Sequence, residues 1–368
     1  MIYIHVPFCR SFCTYCDFYS EIASEERTGR YADAICREIA ERSGEITDDI
    51  PTLYIGGGTP SVLPLSVLER IVGALPPTEW TEFTLEANPE DLCEKGLPYL
   101  EGLRRLGVDR LSMGVQSFDD GMLRWMNRRH NGERAVRAFR LAREAGFRNI
   151  SIDLIFGISH LTDGLWEETL AKAVSLAPEH ISCYQLSVEG ESALGRMTAE
   201  GRYREADEEQ CRRQYDRLCR VLSDAGYVHY EISNFALPGR EAVHNSAYWR
   251  RVPYVGFGPG AHSFDGFRRR WNNSSLTDRS FTEEVLTPED MRVETLMLAL
   301  RTARGIESSF LHENCRPDVI DSLLDEGALA EEDGRFRIPE SRFQDFGALR
   351  HARKLQGKEH RSRGKIQA

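Results

Sequence analysis

Residues 2–18 read Ile2-Tyr3-Ile4-His5-Val6-Pro7-Phe8-Cys9-Arg10-Ser11-Phe12-Cys13-Thr14-Tyr15-Cys16-Asp17-Phe18, a β-patterned run, a proline and three cysteines spaced C-x3-C-x2-C. Pro7 ends the strand because it has no N–H for a ladder hydrogen bond. One reading of positions i, i+4 and i+7 is a buried helical stripe, which Pro7 and the mediocre helix formers Thr14 and Tyr15 disfavour. A structural zinc with His5 as fourth ligand is another, but zinc sites usually pair two C-x2-C elements and no second one exists here. Three thiolates suit an iron–sulfur cubane (4Fe-4S) with one iron left for an external ligand, since such clusters otherwise take four cysteines.

The other six cysteines (Cys36, Cys93, Cys183, Cys211, Cys219, Cys315) are scattered and read as core or surface thiols. At 368 residues, 41% hydrophobic and 29% charged, the chain supports a large core, and no apolar run approaches a membrane span. The β-run follows Met1 at once, which leaves no room for a secretory signal, so the expected location is the cytoplasm. A net charge of −11 gives nucleic-acid binding no electrostatic support. The exception is His351 to Ala368, with six Lys/Arg against one Glu, read as a solvated, disordered tail.

Short β-rich runs (Ile2-Val6, Thr52-Ile55, Glu82-Glu86, Arg110-Gly114, Ile150-Ile155, His180-Leu186) alternate with helical stretches near Arg30-Ser43, Pro64-Ala74, Gly96-Leu106, Gly132-Ala145, Leu165-Leu176 and Glu208-Ala225. This is the α/β pattern of a parallel sheet or barrel, whose ligands bind at strand C-termini, where Glu86, Gln116 and Asp153 fall. Residues 1–230 are therefore expected to form a partial (β/α) barrel. Residues 231–286 form an aromatic, Gly/Pro-rich extension. Residues 287–350 form a small α+β module of winged-helix type, with a helix start at Thr287-Pro288 and a hairpin at Glu332-Asp333-Gly334; the tail is 351–368. The stretch 276–350 carries 17 acidic and 9 basic side chains, which argues against DNA binding despite that shape.

After the second strand comes Tyr54-Ile55-Gly56-Gly57-Gly58-Thr59-Pro60-Ser61. A glycine run is commonly a turn, but here it would let the backbone approach a ligand closely with its N–H and C=O groups exposed.

Together the three-cysteine loop and the glycine run resemble the radical S-adenosylmethionine (radical SAM) superfamily, in which the open iron chelates the nucleotide and one-electron reduction of its sulfonium yields a deoxyadenosyl radical. Tyr3-Ile4-His5-Val6-Pro7-Phe8-Cys9, Gly114-Val115-Gln116-Ser117-Phe118, Asn127-Arg128, Ile152-Asp153-Leu154-Ile155-Phe156-Gly157 and Tyr230-Glu231-Ile232-Ser233-Asn234-Phe235 resemble the oxygen-independent coproporphyrinogen III oxidase family. The resemblance implies a cluster on Cys9, Cys13 and Cys16, and SAM contacts from Tyr3, Tyr15, Gly57, Gly58, Thr59, Glu86, Gln116, Arg128 and Asp153. Read singly, Glu86, Arg128 and Asp153 would be strand-end salt bridges.

The oxidase loop continues with a fourth cysteine where this chain has Phe18, and His244-Asn245-Ser246-Ala247-Tyr248-Trp249 is similar to the H-N-x-x-Y-W signature of the HemW group of haem chaperones. That resemblance implies haem and acceptor haemoproteins as partners, an electron donor for the cluster and room for a homodimer. Haem would meet His244, Tyr248 and Trp249, with His262 as rival ligand, although a histidine beside aromatics is commonly a packed core residue. The competing activity is oxidative decarboxylation of coproporphyrinogen III. Ile158-Ser159-His160-Leu161-Thr162 departs from the family's Leu-Pro-x-Gln-Thr.

Overall fold

The computed structural model describes residues 1–47 and 50–343; the 351–368 tail and the end of the 287–350 module lie outside them. The six expected strands form β1 (Ile2–Val6), β2 (Thr52–Gly57), β3 (Glu82–Ala87), β4 (Arg110–Gln116), β5 (Ile150–Phe156) and β6 (His180–Gln185). Each pairs in parallel with the next. Sheet order follows chain order, so every crossover steps the same way and the sheet curls into a partial barrel with helices outside.

The strands alternate in a way that sets the barrel's chemistry. Leu53 and Ile55, Phe83 and Leu85, Leu111 and Met113, Ile152 and Leu154, and Ile181 belong to the apolar core. Between them Thr52, Tyr54, Glu82, Thr84, Glu86, Arg110, Ser112, Asp153, His180 and Ser182 share the opposite face. That interior is polar yet buried: Arg110 is 1% exposed, and Glu82 is the first of its charge partners.

Side-chain caps place the helices further upstream than hydrophobic periodicity does. Ser24 accepts from the Arg27 N–H and starts α1 (Glu25–Arg42) five residues before Arg30. Asn88 caps α2 (Pro89–Leu106), which is broken at Gly96 (φ 64°). Short helices that periodicity could not show, Asp120–Trp125 and Ala193–Ala199, pack at the strand ends.

Part of the 231–286 stretch, with the residues just before it, is built into the barrel sheet. Val228–Glu231 and Asn234–Ala236 extend the β6 edge antiparallel, and Val255–Phe257 pairs in parallel with β1 on the other edge. Two edge strands would otherwise present open ladders, and this segment covers both. Its helix Val243–Trp249 has no side-chain cap of its own; Glu82 of β3 accepts from the N–H groups of Val243 and His244 instead. A three-stranded meander follows (His262–Phe264, Arg268–Asn272, Phe281–Val285).

The helix Pro288–Leu300 begins at the expected place, where Thr287 and Asp290 form a capping box. Helices Ser308–Asn314 and Pro317–Asp325 pack with strands Ile306–Glu307, Ala330–Glu332 and Arg335–Arg337 in a winged-helix-like arrangement. Asp333 (φ 50°) and Gly334 (φ 71°) make its hairpin turn. Among the described residues no helix is long and apolar enough to cross a membrane.

Candidate functional site

The cysteine loop is not helical: residues 10–20 contain turns and bends only. Its base is closed by a short parallel pairing of Phe8–Cys9 with Glu21–Ile22. Its outer part is fixed to the barrel by four bonds. Thr14 Oγ1 donates to the Trp125 carbonyl at 2.9 Å, the Thr14 N–H to the Met126 carbonyl at 3.1 Å, Asn127 Nδ2 to the Phe12 carbonyl at 2.7 Å, and the Leu194 N–H to the Thr14 carbonyl at 2.8 Å. The short helices at 120–125 and 193–199 supply or adjoin these anchors, so they hold the thiols over the strand ends.

Cys9, Cys13 and Cys16 are free thiols on the wall of one cavity of about 770 Å³, a size typical of small-molecule sites. Thr59 Oγ1 lies 3.4 Å from Cys9 Sγ, and Arg128 donates to Cys13 Sγ at 3.2 Å. Burial, then the Cys13 and Cys9 charges, push the Cys16 thiol up to about 11, against the pull of the Phe18 backbone. Burial also raises Cys9, with Thr59 and Arg128 opposing. The burial that disfavours the Cys9 and Cys16 thiolates is relieved when a metal takes the proton's place, and with Cys13 on the same cavity wall the donor set fits an iron–sulfur cluster.

The N–H groups of the glycine run, expected to be exposed for a ligand, are turned inward instead. A Cβ at Gly57 (φ 109°) would lie 2.7 Å from the His5 ring, and one at Gly58 would lie 2.8 Å from the Phe8 carbonyl oxygen and 3.1 Å from Cys9 Sγ. The Gly57 N–H donates to Glu86 at 3.0 Å and the Gly58 N–H to the Val6 carbonyl at 2.8 Å. Both N–H groups are therefore engaged within the protein.

Around the cavity stand the strand-end groups. Glu86 accepts from the Tyr54 hydroxyl at 2.7 Å, and its carboxyl is pushed up to about 7 by burial and the nearby Asp153, against the bonds from Tyr54 and Gly57. Asp153 accepts from Ser112 Oγ at 3.3 Å and is pushed up to about 6 by burial, with Arg110 opposing. Gln116 has φ 66°, held where the β4–β5 register slips, a strained conformation that turns the chain at the cavity. Arg128 donates to the Gly114 carbonyl at 2.5 Å, and its buried Nε has no partner among the described residues. Tyr3 donates or accepts at His5 Nδ1 (3.0 Å), and burial raises the Tyr15 phenol above its usual range beside Arg128 and Cys13. All nine residues singled out as SAM contacts thus line this cavity.

The haem candidates divide. Tyr248 lines the cavity. His244 is fully buried with both ring nitrogens bonded: Nδ1 is 2.8 Å from Thr52 Oγ1 and Nε2 is 2.8 Å from the Tyr248 hydroxyl. Ligation of iron by His244 would therefore require one of these two bonds to break. Trp249 points elsewhere, with the Arg301 guanidinium 4.7 Å from its ring centroid. His262 does reach the cavity, and its ring has no hydrogen-bond partner among the described residues. Burial, with help from His5 and Arg269, lowers it to about 4, so it is a neutral imidazole at physiological pH. Tyr54, Ser112 and Tyr254 also belong to the site and were missed; the first two could have been found from strand alternation, because they share the inward face with Glu86 and Asp153.

A curled parallel sheet with three thiols over its strand ends and a glycine run beneath them defines a radical SAM protein, and the Radical SAM superfamily profile matches residues 3–173. Membership implies a 4Fe-4S cluster and SAM. Within it, the chain belongs to the HemW family. It is 34% identical to Heme chaperone HemW of Bacillus subtilis (strain 168) over 351 residues, covering 89% of this chain and 92% of that one. Against Heme chaperone HemW of Synechocystis sp. it is also 34% identical, covering 83% and 78%. The solved structure of coproporphyrinogen III oxidase (HemN) from Escherichia coli superposes with a TM-score of 0.81 at 21% identity, over 96% of this chain and 89% of that one, which establishes a shared fold.

Proposed function

We propose that this protein is a cytoplasmic haem chaperone that binds a 4Fe-4S cluster, SAM and haem in or beside one cavity and passes haem to acceptor haemoproteins. The observation that carries the proposal is the meeting, in a single cavity, of the cysteine loop, the polar strand ends and the aromatic extension, in a chain similar to HemW relatives over most of its length.

Cys9, Cys13 and Cys16 would hold the cluster, which supplies one-electron reduction of a bound sulfonium. The remaining roles are positional. Arg128 is placed to pair with a carboxylate between Cys13 and the end of β4, Glu86 and Asp153 suit an ammonium or sugar hydroxyls, and the Gly57 and Gly58 carbonyls accept from an ammonium. Gln116, Thr59, Tyr3 and Tyr15 close the same wall. Next to Tyr3 and Glu86, Tyr248 and Tyr254, in edge-to-face contact at 4.8 Å, offer an apolar rim for a flat macrocycle, and His262 offers the imidazole.

The test is anaerobic reconstitution with iron and sulfide, followed by haem titration and incubation with an apo-haemoprotein. In parallel, the protein is given reductant, SAM and coproporphyrinogen III. Saturable haem binding and transfer without porphyrinogen turnover is the expected result. Protoporphyrinogen formation without haem binding would replace the chaperone with an oxidase.

A further inference from the structure

Away from the cavity, on the far side of the β6 edge, three side chains from different parts of the chain converge. Cys219 comes from the helix Glu208–Asp224, His229 from the strand Val228–Glu231, and Glu340 from the short turn Glu340–Arg342 of the C-terminal module. One ligand atom from each lies within 4.8 Å of the others, which among the described residues is the one such trio of metal-ligating groups.

The geometry of the imidazole points in one direction. Nε2 is 3.2 Å from the Ile232 carbonyl, which can only accept, so Nε2 carries a proton whether or not Nδ1 also donates to the Glu340 carboxylate. That leaves Nδ1 facing Glu340 Oε1 at 2.9 Å and Cys219 Sγ at 4.0 Å. A histidine whose outer nitrogen donates to a backbone carbonyl while the inner one faces a thiol and a carboxylate has the bonding pattern of a metal ligand. The ring is also held by packing: it stacks on Phe235 at 4.1 Å and meets the Phe343 edge at 5.1 Å. Its side chain is 4% exposed, whereas the Glu340 side chain is 57% exposed, so an ion would have one open side. A cavity of about 370 Å³ lined by Cys219, His229 and Glu340 adjoins that side, with room for a water as fourth ligand.

We propose that Cys219, His229 and Glu340 form a metal site separate from the cluster, for a zinc-like divalent ion that fastens the C-terminal module to the barrel. Thiolate, imidazole and carboxylate together are a zinc set, and bonds of about 2.3 Å to sulfur and about 2.0 Å to nitrogen put the two donors roughly 3.5 Å apart in a tetrahedron. The observed 4.0 Å needs a contraction of about half an ångström, within reach of a side-chain adjustment. The ion would replace the Cys219 thiol proton. Arg337, the cation on the cavity wall, is already paired with Glu332 and does not neutralise Glu340. The competing account is a plain His229–Glu340 ion pair with a bystander thiol. This proposal does not rest on haem binding.

The test uses full-length protein whose N-terminal cysteines have been loaded with iron and sulfide anaerobically. Zinc is titrated in, excess is removed by gel filtration, and Co²⁺ is used as a spectroscopic stand-in. Wild type should retain one more equivalent of zinc than Cys219→Ser or His229→Gln, and its Co²⁺ form should show a thiolate charge-transfer band that Cys219→Ser lacks. Because those two positions are packed in the core, Glu340→Gln at the exposed carboxylate provides a variant that should fold normally, and its zinc affinity should fall at least about tenfold. Equal affinity in Glu340→Gln, or equal retention and an unchanged band in Cys219→Ser, would leave only the ion pair and overturn the site.

Discussion

The His244 imidazole lies 2.8 Å from the Tyr248 hydroxyl, one helical turn away, with its other nitrogen 2.8 Å from Thr52 in β2. This chain of three polar groups threads from the barrel interior to the cavity wall. It fixes the phenol of Tyr248 through a histidine that never reaches the cavity itself. The likeness of His244-Asn245-Ser246-Ala247-Tyr248-Trp249 to a haem-family signature then has a mechanical meaning: the histidine positions the tyrosine.

It follows that the two histidines should fail differently. His262→Ala should shift the Soret band of the haem complex and weaken haem binding at least about tenfold while leaving the melting temperature nearly unchanged. His244→Gln should keep an imidazole-ligated spectrum but lose on the order of 1–3 kcal/mol of stability, because Thr52 and Tyr248 lose a buried partner. Parallel haem titrations and thermal melts decide this; a lost haem spectrum in a folded His244→Gln protein would return the ligand to His244.

Arg128 bonds the Gly114 carbonyl and Cys13 Sγ with its two terminal nitrogens and holds its cation at the cavity wall. Arg128→Met should retain iron and acid-labile sulfide near wild-type levels but weaken SAM binding roughly 10- to 100-fold, the worth of a charge-assisted hydrogen bond. Calorimetry on reconstituted protein measures it. Unchanged affinity would make the arginine a purely structural neighbour of the cysteine loop.

The raised carboxyls carry a pH signature. With Glu86 near 7 and Asp153 near 6 in the folded chain, and ordinary values of 4.5 and 3.8 unfolded, the folded state holds more protons between those limits. Their contribution to stability is therefore complete at low pH and is lost as pH rises toward 7. Buried His5, His244 and His262, lowered to about 4, 3 and 4, act oppositely below about 6.5. The clean window for Glu86 is pH 6.5–7.5. Glu86→Gln should stabilise the ligand-free protein at pH 8, by on the order of 3 kcal/mol at most, and should flatten the rise in SAM affinity expected as the carboxylates ionise. Melting curves and binding isotherms at pH 6 and 8 test both; a destabilised Glu86→Gln at pH 8 would mean that Glu86 is already ionised and satisfied.

Much of this is legible in the sequence because strand period and cysteine spacing are local signals. Ile2–Val6 and C-x3-C-x2-C announce themselves within sixteen residues. What stayed hidden depends on partners far along the chain. Glu82 caps a helix 161 residues away, Val255–Phe257 closes the β1 edge from the other end of the barrel, and His244 is silenced by Thr52 across 192 residues. The same holds for Cys219, read as a scattered thiol until a strand and a C-terminal turn bring His229 and Glu340 beside it. Local pattern gives faces and turns, whereas the state of a buried polar group is decided by whatever the fold sets against it.

Gly58 connects the barrel to the cysteine loop through contact alone. Its N–H bonds the Val6 carbonyl, and a methyl group there would press on the Phe8 carbonyl oxygen at 2.8 Å and on Cys9 Sγ at 3.1 Å. Both atoms belong to the short strand Phe8–Cys9 that aims the first thiol, and a peptide carbonyl cannot yield as a flexible side-chain tip can. Gly58→Ala should therefore cost about 1–3 kcal/mol of stability and reduce iron incorporation by more than half, even though no cysteine is changed. Iron and sulfide analysis after anaerobic reconstitution, set beside circular dichroism of the same sample, separates loop misplacement from unfolding. A folded Gly58→Ala protein with full iron content would mean that the loop can move aside, and the tight fit of this glycine to Cys9 would lose its bearing on cluster assembly.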